Sequence, residues 1–217
     1  MLSALPAEEL SLLTEKSEEL YCRKGEVLFR EGTVPSGIYI IGSGKIKKYK
    51  TDRQRREQIV YVAGPGELVG YHAVLSEDRY PDSAAAMEDA EVTFIPKENF
   101  TALLERSPLF ARRLLKAMSQ EFTVLTNTIS VIAQRTGAER LAITLIVLRE
   151  RSKKENEDGE AIVINMSRAD LANMAGIAEE NVTRILREFK SEGLLETKGR
   201  SIIIIDIQGL VNRANYR

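Results

Sequence analysis

The apolar positions of this chain change rhythm three times. From Met1 to Leu20, Leu2, Leu5, Leu10, Leu12 and Leu13 sit among acidic residues, and Pro6 suits a first helical turn, which predicts an amphipathic helix. From Tyr21 to Ile95 the pattern is one of short runs rich in Val, Ile, Tyr and Phe: Val27 to Phe29, Ile38 to Ile41, Ile46 to Tyr49, Gln58 to Val62 and Val92 to Ile95. Glycines 25, 32, 37, 42, 44, 64 and 66 punctuate them, and short strands so spaced predict a sandwich or barrel. The third rhythm is the sharpest. Leu115, Met118, Phe122, Leu125, Ile129 and Ile132 alternate steps of three and four, an a/d seam that packs one helix along another. A helix lying on its own domain's core gives a similar stripe. Here the stripe narrows toward its end, with Asn127, Thr128 and Gln134 off it, while Leu114 and Ala117 offer a second surface toward the β region. That favours a second copy of the helix as the partner. Gly137 then breaks the pattern before another helical run, Leu141 to Leu148, and the charged segment Ser152 to Glu160 predicts a solvated loop.

The C-terminal quarter carries its own signals. Ser167-Arg168-Ala169-Asp170 is a serine N-cap followed by an acid, and the helix it starts stops at Gly176. A second helix is predicted from Glu179 to Ser191, with Val182, Ile185, Leu186 and Phe189 on its apolar face. Gly193 to Thr197 and Ser201 to Ile205 read as two strands around Lys198-Gly199-Arg200. Two helices joined by a glycine turn and followed by a hairpin make a winged helix-turn-helix. The polar face of its second helix bears Glu179, Glu180, Asn181, Thr183, Arg184, Arg187 and Lys190. Arg184 suits a bidentate fork to guanine, Glu180 an acceptor for cytosine N4, and Thr183 a contact with a thymine methyl. Ser167, Arg168, Lys198 and Arg200 are the candidate phosphate contacts. The plainer alternative is an exposed Glu180–Arg184 ion pair, worth a few tenths of a kcal/mol. The capped helix before it and the wing after it favour base reading.

Composition narrows the chemistry. The 217 residues allow one large domain or two small ones. A single cysteine excludes an intramolecular disulfide framework, one cysteine and one histidine exclude a metal site of several Cys or His ligands, and the lone histidine leaves little room for His-based triads or shuttles. Gly42-Ser43-Gly44-Lys45 superficially resembles a phosphate loop. The required first glycine falls on Tyr39, however, and Ile46 follows the lysine, so an enzyme is not expected. No apolar run approaches the ~20 residues of a membrane span, and the N-terminus lacks a signal-peptide core, so a cytoplasmic protein without a membrane partner is expected. The net charge of −1 hides the distribution. Residues 165–217 hold eight basic and seven acidic side chains, so DNA affinity must rest on where particular cations point.

Together these segments resemble the Crp/Fnr family of bacterial transcription regulators over nearly the whole chain. Gly25 to Gly32 and Tyr39 to Gly44 are similar to the glycine-bearing strands of its cyclic-nucleotide-binding roll, and Pro65 to Gly70 to the start of its phosphate-binding cassette. The long helix resembles its dimerisation helix, and Gly176 to Leu186 its recognition helix. The resemblance implies an α+β fold: an N-terminal jelly-roll-like double-stranded β-helix (1–108), a dimerisation helix (109–136) and a winged helix-turn-helix (137–217). It implies a homodimer on DNA, reading a pseudo-palindrome with TGA half-sites through Glu180 and Arg184 and working with RNA polymerase. A roll and winged helix acting through protein partners is the rival reading.

The same resemblance points to an effector pocket at Gly66, Glu67, Leu68, Ser83, Ala84, Leu125 and Thr126. In the family an arginine before the cassette serine neutralises the cyclic phosphate. Here that residue is Asp82, in a longer segment that also holds Arg79 and Pro81, and Leu125 stands where the cyclic-AMP receptor bears a threonine. Cyclic AMP is therefore not expected to bind, and no cofactor is expected. Cys22 alone cannot hold an iron–sulfur cluster and reads as a buried small hydrophobe. His72 resembles the haem ligand of carbon-monoxide-sensing members, but Gly70 replaces their cysteine, which leaves haem as a minor alternative to a satisfied histidine.

Overall fold

Alternation of inward and outward side chains builds the first half of the chain. The computed structural model describes residues 6–155 and 162–215, which divide into two units, one through Thr126 and one from Asn127. The first begins with α1 (Ala7–Thr14) and continues through β1 (Glu18–Cys22), β2 (Val27–Phe29), β3 (Gly37–Ser43), β4 (Ile46–Thr51), β5 (Glu57–Ala63) and β6 (Leu68–Val69). After these come α2 (Tyr71–Ser76), β7 (Ser83–Ala86), β8 (Ala90–Pro96), α3 (Lys97–Arg106) and the long α4 (Pro108–Gln134). The strands pair antiparallel in two four-stranded sheets of order β1-β8-β3-β6 and β2-β7-β4-β5. One core cluster, including Ile41, Ile46, Ala84 and Val92, fills the roll. A second joins Ile38, Tyr71 and Ile95 to Phe100 and Leu103 of α3 and Phe110 and Leu114 of α4. Leu114 thus faces the β region as its place beside the seam predicts.

Two expectations, one in each unit, need correction. The N-terminal helix does not reach Leu20. It ends at Thr14, Lys16 adopts a left-handed φ of 56°, and Glu18–Cys22 runs as an edge strand against β8. There the ladder to β8 satisfies the backbone, and only Cys22 of the strand is buried. Leu2 and Leu5 lie outside the described residues. The charged segment from Ser152 is not a loop at its start: α5 (Gly137–Glu155) continues through it, and residues 156–160 lie outside the described residues.

The second unit contains α5, β9 (Val163–Asn165), α6 (Arg168–Ala175), α7 (Glu179–Ser191), β10 (Leu195–Lys198), β11 (Ser201–Ile204) and α8 (Ile207–Arg213). Its small sheet has the order β10-β11-β9, with β11 in the middle. Against α5 pack α6, α7, α8 and β9. Val182, Ile185, Leu186 and Phe189 are buried on one side of α7, as the spacing predicts. The expected wing strand Gly193 to Thr197 begins two residues later, because the left-handed Gly193 turns the chain out of α7 first.

Candidate nucleic-acid interface and roll interior

Local chemistry fixes the helix-turn-helix. The Ser167 hydroxyl oxygen accepts from the Asp170 N–H at 3.0 Å, closing the start of α6, and Gly176 ends that helix with φ 63° and ψ 43°. The turn delivers α7 with Glu179, Glu180 and Asn181 exposed at its N-terminus, Arg184 and Arg187 exposed one and two turns on, and Thr183 half-buried. Arg184 does not pair with Glu180: its Nη1 lies 3.6 Å from Glu188 Oε2, and it remains 66% exposed. The Glu180–Arg184 pair of the plainer reading is replaced by a pair with the following turn, where Arg213 also reaches Glu188. Lys198 and Arg200 are exposed at the wing. Arg168 is less available than its position suggested. Its Nη2 donates to the Gly199 carbonyl at 3.1 Å, and burial holds its guanidinium below the usual arginine range. It ties the start of α6 to the wing turn, a positioning contact that sequence reasoning assigned to phosphate.

The α4 stripe is open in the single chain. Leu115, Phe122, Leu125, Ile129 and Ile132 are 40–68% exposed. Met118 departs from it, half-buried against the core of the roll with Leu114. The stripe therefore lies beside the face that α4 turns to its own unit.

Inside the roll the cassette residues are already engaged. The Glu67 carboxylate accepts from Tyr61 OH at 2.8 Å and from the Gly64 N–H at 2.7 Å. Ser83 Oγ accepts from the Glu31 N–H at 3.0 Å, while Leu68 and Ala84 are core residues and Gly66 turns the chain at φ 80°. Thr126 donates to the Thr123 carbonyl and Leu125 is exposed. Arg79 does not swing inward; its Nη1 donates to the Gly32 carbonyl.

The α4 residue that enters the polar interior is Glu121, which sequence reasoning missed. Its Oε1 accepts from Tyr71 OH at 2.6 Å, and its Oε2 lies 3.1 Å from Lys48 Nζ and 3.6 Å from His72 Nε2. Lys48 Nζ is also 3.7 Å from Asp82 Oδ2 and 3.4 Å from His72 Nδ1. Burial pushes the Asp82 carboxyl up, partly offset by Lys48 and Lys50, and burial together with Lys48 pulls His72 down. Period-two alternation was the available signal for Lys48, which shares the inward face of β4 with the fully buried Ile46. Glu121 follows Leu114 and Met118 at steps of four and three on α4, the face turned to the roll.

A cyclic phosphate does not fit this interior. Lys48 is already shared by two carboxylates, and a further anion would face Asp82 and Glu121 unneutralised. His72 is a satisfied side chain of this cluster, as its plainer reading holds. Gly70, at φ 86°, is a backbone position where the family's cysteine would be strained, with Tyr80 3.2 Å from any added Cβ. Cys22 is a buried free thiol, pushed up by burial.

Comparison with known proteins agrees with this architecture. The "Cyclic nucleotide-binding domain" family matches residues 19–107 and the "Crp-like helix-turn-helix domain" family residues 139–213. The "Transcriptional activator protein anr" of Pseudomonas aeruginosa is 32% identical over 184 residues, 85% of this chain and 75% of that one. The "Fumarate and nitrate reduction regulatory protein" of Escherichia coli strain K12 is 29% identical over 209 residues, 96% of this chain and 82% of that one. In fold, the chain is similar to FixK2 from Bradyrhizobium japonicum, with a TM-score of 0.79 at 24% identity over 91% of this chain and 97% of that one. It is also similar to the regulator CLP of Xanthomonas campestris, with a TM-score of 0.76 at 23% identity over 92% and 99%. With a nucleotide-domain roll, a long helix and a Crp-like reading head in this order, the chain belongs to the Crp/Fnr family of DNA-binding transcription regulators.

Proposed function

We propose that the chain acts as a homodimer that reads a pseudo-palindromic DNA site with TGA half-sites and works with RNA polymerase. The observation that carries this is the exposed Glu180–Arg184 face of α7, presented between a capped α6 and an exposed wing. Arg184 has only an exposed pair with Glu188 to give up, which costs little against a bidentate guanine contact of about 1–3 kcal/mol. The exposed stripe on α4 supplies the second half of the reading. Covering Phe122, Leu125 and Ile129 with the same residues of another copy removes apolar surface from water, and twofold symmetry then sets two reading heads about 34 Å apart. The name of the Pseudomonas relative, a transcriptional activator, supports the same reading.

Selection from random DNA, followed by anisotropy titrations at several salt concentrations, tests this. Symmetric sites with a TGA core should emerge, and Arg184→Ala should weaken binding about tenfold or more by loss of that contact. Selected sites without the core, or unchanged affinity in the variant, would overturn the base-reading assignment. Absence of any salt-dependent DNA binding would point to protein partners.

A further inference from the structure

The charge cluster inside the roll is not used by base reading or by the α4 stripe. It draws on four separate segments: Lys48 on β4, Tyr71 and His72 on α2, Asp82 just before β7, and Glu121 on α4. Both oxygens of Glu121 are engaged, by donors from two different elements, and its side chain is only 16% exposed. Tyr71 is itself buried and stacks on His72 with ring centroids 4.1 Å apart, so these donors are held in place independently of Glu121. The arrangement has the form of a receptor site for one carboxylate, filled by a side chain of the same molecule.

We propose that Glu121 is an internal ligand of the roll, its carboxylate occupying an anion site made by Lys48, Tyr71 and His72 and so fixing α4 without a bound small molecule. The inference rests on the DNA-binding reading and names the regulation within it. Phe122 is the next residue along α4, and Leu125 follows one turn after Glu121. Holding Glu121 therefore fixes the rotation of α4 about its axis and with it the direction in which the apolar stripe points. Lys48 offers no spare charge to a competing phosphate, since Asp82 and Glu121 already share it. The site is self-contained, and α4 is held in its DNA-binding setting constitutively.

Glu121→Ala and Glu121→Gln, compared with the wild-type chain in melting and DNA anisotropy, test this. Glu121→Gln keeps the shape and an acceptor for Tyr71 while removing the charge. Both variants should bind the selected DNA about 5–150-fold more weakly, the range of an ordinary coupling between sites. Formate at about 50 mM, against chloride at equal ionic strength, should raise the melting temperature and DNA affinity of Glu121→Ala and leave the wild type unmoved. Cyclic AMP at about 1 mM should not raise the wild-type melting temperature. The internal-ligand assignment fails if both variants bind DNA within twofold of wild type, if formate does nothing for Glu121→Ala beyond chloride, or if cyclic AMP stabilises the wild type. A wild type that does not bind DNA sinks the regulator reading instead, and the formate shift in melting temperature still decides the anion site.

Discussion

Lys48 shows how one residue can reverse the apparent character of a segment. In Ile46-Lys47-Lys48-Tyr49-Lys50 the lysines look like a solvated edge, yet Lys48 is 5% exposed and carries the polar interior of the roll. Its burial is tolerable because Asp82 and Glu121 lie beside it, and only loss of both would leave its charge without a carboxylate partner. His72 faces Lys48 and Glu121 and stacks on Tyr71, with Asp82 also beside Lys48, and it stays neutral more readily than a free histidine. The unfolded chain takes up that proton near the ordinary value of 6.5, while the folded chain resists it. Stability from His72 is therefore present above that value and is lost as pH falls below it. Asp82, whose carboxyl is pushed up, acts in the opposite sense: the folded state takes its proton first, as pH falls toward the carboxylate range. Urea denaturation between about pH 7.5 and 5.5 should show wild-type stability declining, and His72→Asn should flatten the part of the slope that His72 owns. Equal slopes in the two proteins would exclude this role. None of this cluster was legible as a cluster. Asp82 and His72 were noticed singly, but their partners come from strands and helices far away in sequence, and only the folded sheet brings them together.

At the scale of elements, legibility followed locality. α7 was readable residue for residue, because its apolar face, its N-terminal turn and its end are all encoded within the helix. β7 was not. Ser83-Ala84-Ala85-Ala86 has little strand propensity, and it is a strand because β2 and β4 pair with it from both sides while the core buries all four residues. Small side chains there let the sheet and core close over it. α3 carried its own signal in Phe100 and Leu103, one helical turn apart and both buried, but the preceding run of strands masked it. On α4 the seam was legible. Its overlap with the roll-facing stripe was not, since Met118 belongs to the seam by spacing and to the roll by packing. Phe122, 68% exposed, is the test of the seam. Phe122→Glu should shift the chain from dimer to monomer in sedimentation and lower DNA affinity, with little loss of monomer stability, because its ring has no core to leave. A variant that stays dimeric would move the interface elsewhere.

The molecule as a whole shows why composition misled. A net charge of −1 over 217 residues gives no electrostatic footprint for a nucleic-acid partner, and the reading head is balanced as well. Its acids are largely committed locally: the Asp170 carboxylate accepts from the Ser167 hydroxyl at the start of α6, Glu188 and Glu192 pair with Arg213, and Asp206 caps α8. Lys198 and Arg200 at the wing and Arg184 and Arg187 on α7 are left at the surface, where position counts for more than the sum. The order of the parts was fully legible from sequence, because each has a period or a turn signal of its own.

The middle strand of the wing carries a liability of a different kind. β11 is the most apolar strand of its sheet, an unbroken stretch of isoleucine from Ile202 running on to Ile205, with β10 and β9 hydrogen-bonded along its two edges. In the folded chain no edge of it is offered to a neighbour. Once the unit opens, these four residues and Ser201 form an uncharged β-prone segment with Arg200 and Asp206 as its flanking gatekeepers. Heating past the transition should therefore be one-way, with rising turbidity, a midpoint that depends on scan rate, and no recovery on a second scan. Ile205→Lys, at a position already 60% exposed, should restore much of the reversibility without lowering the first transition. A wild type that rescans cleanly would show that the two flanking charges suffice.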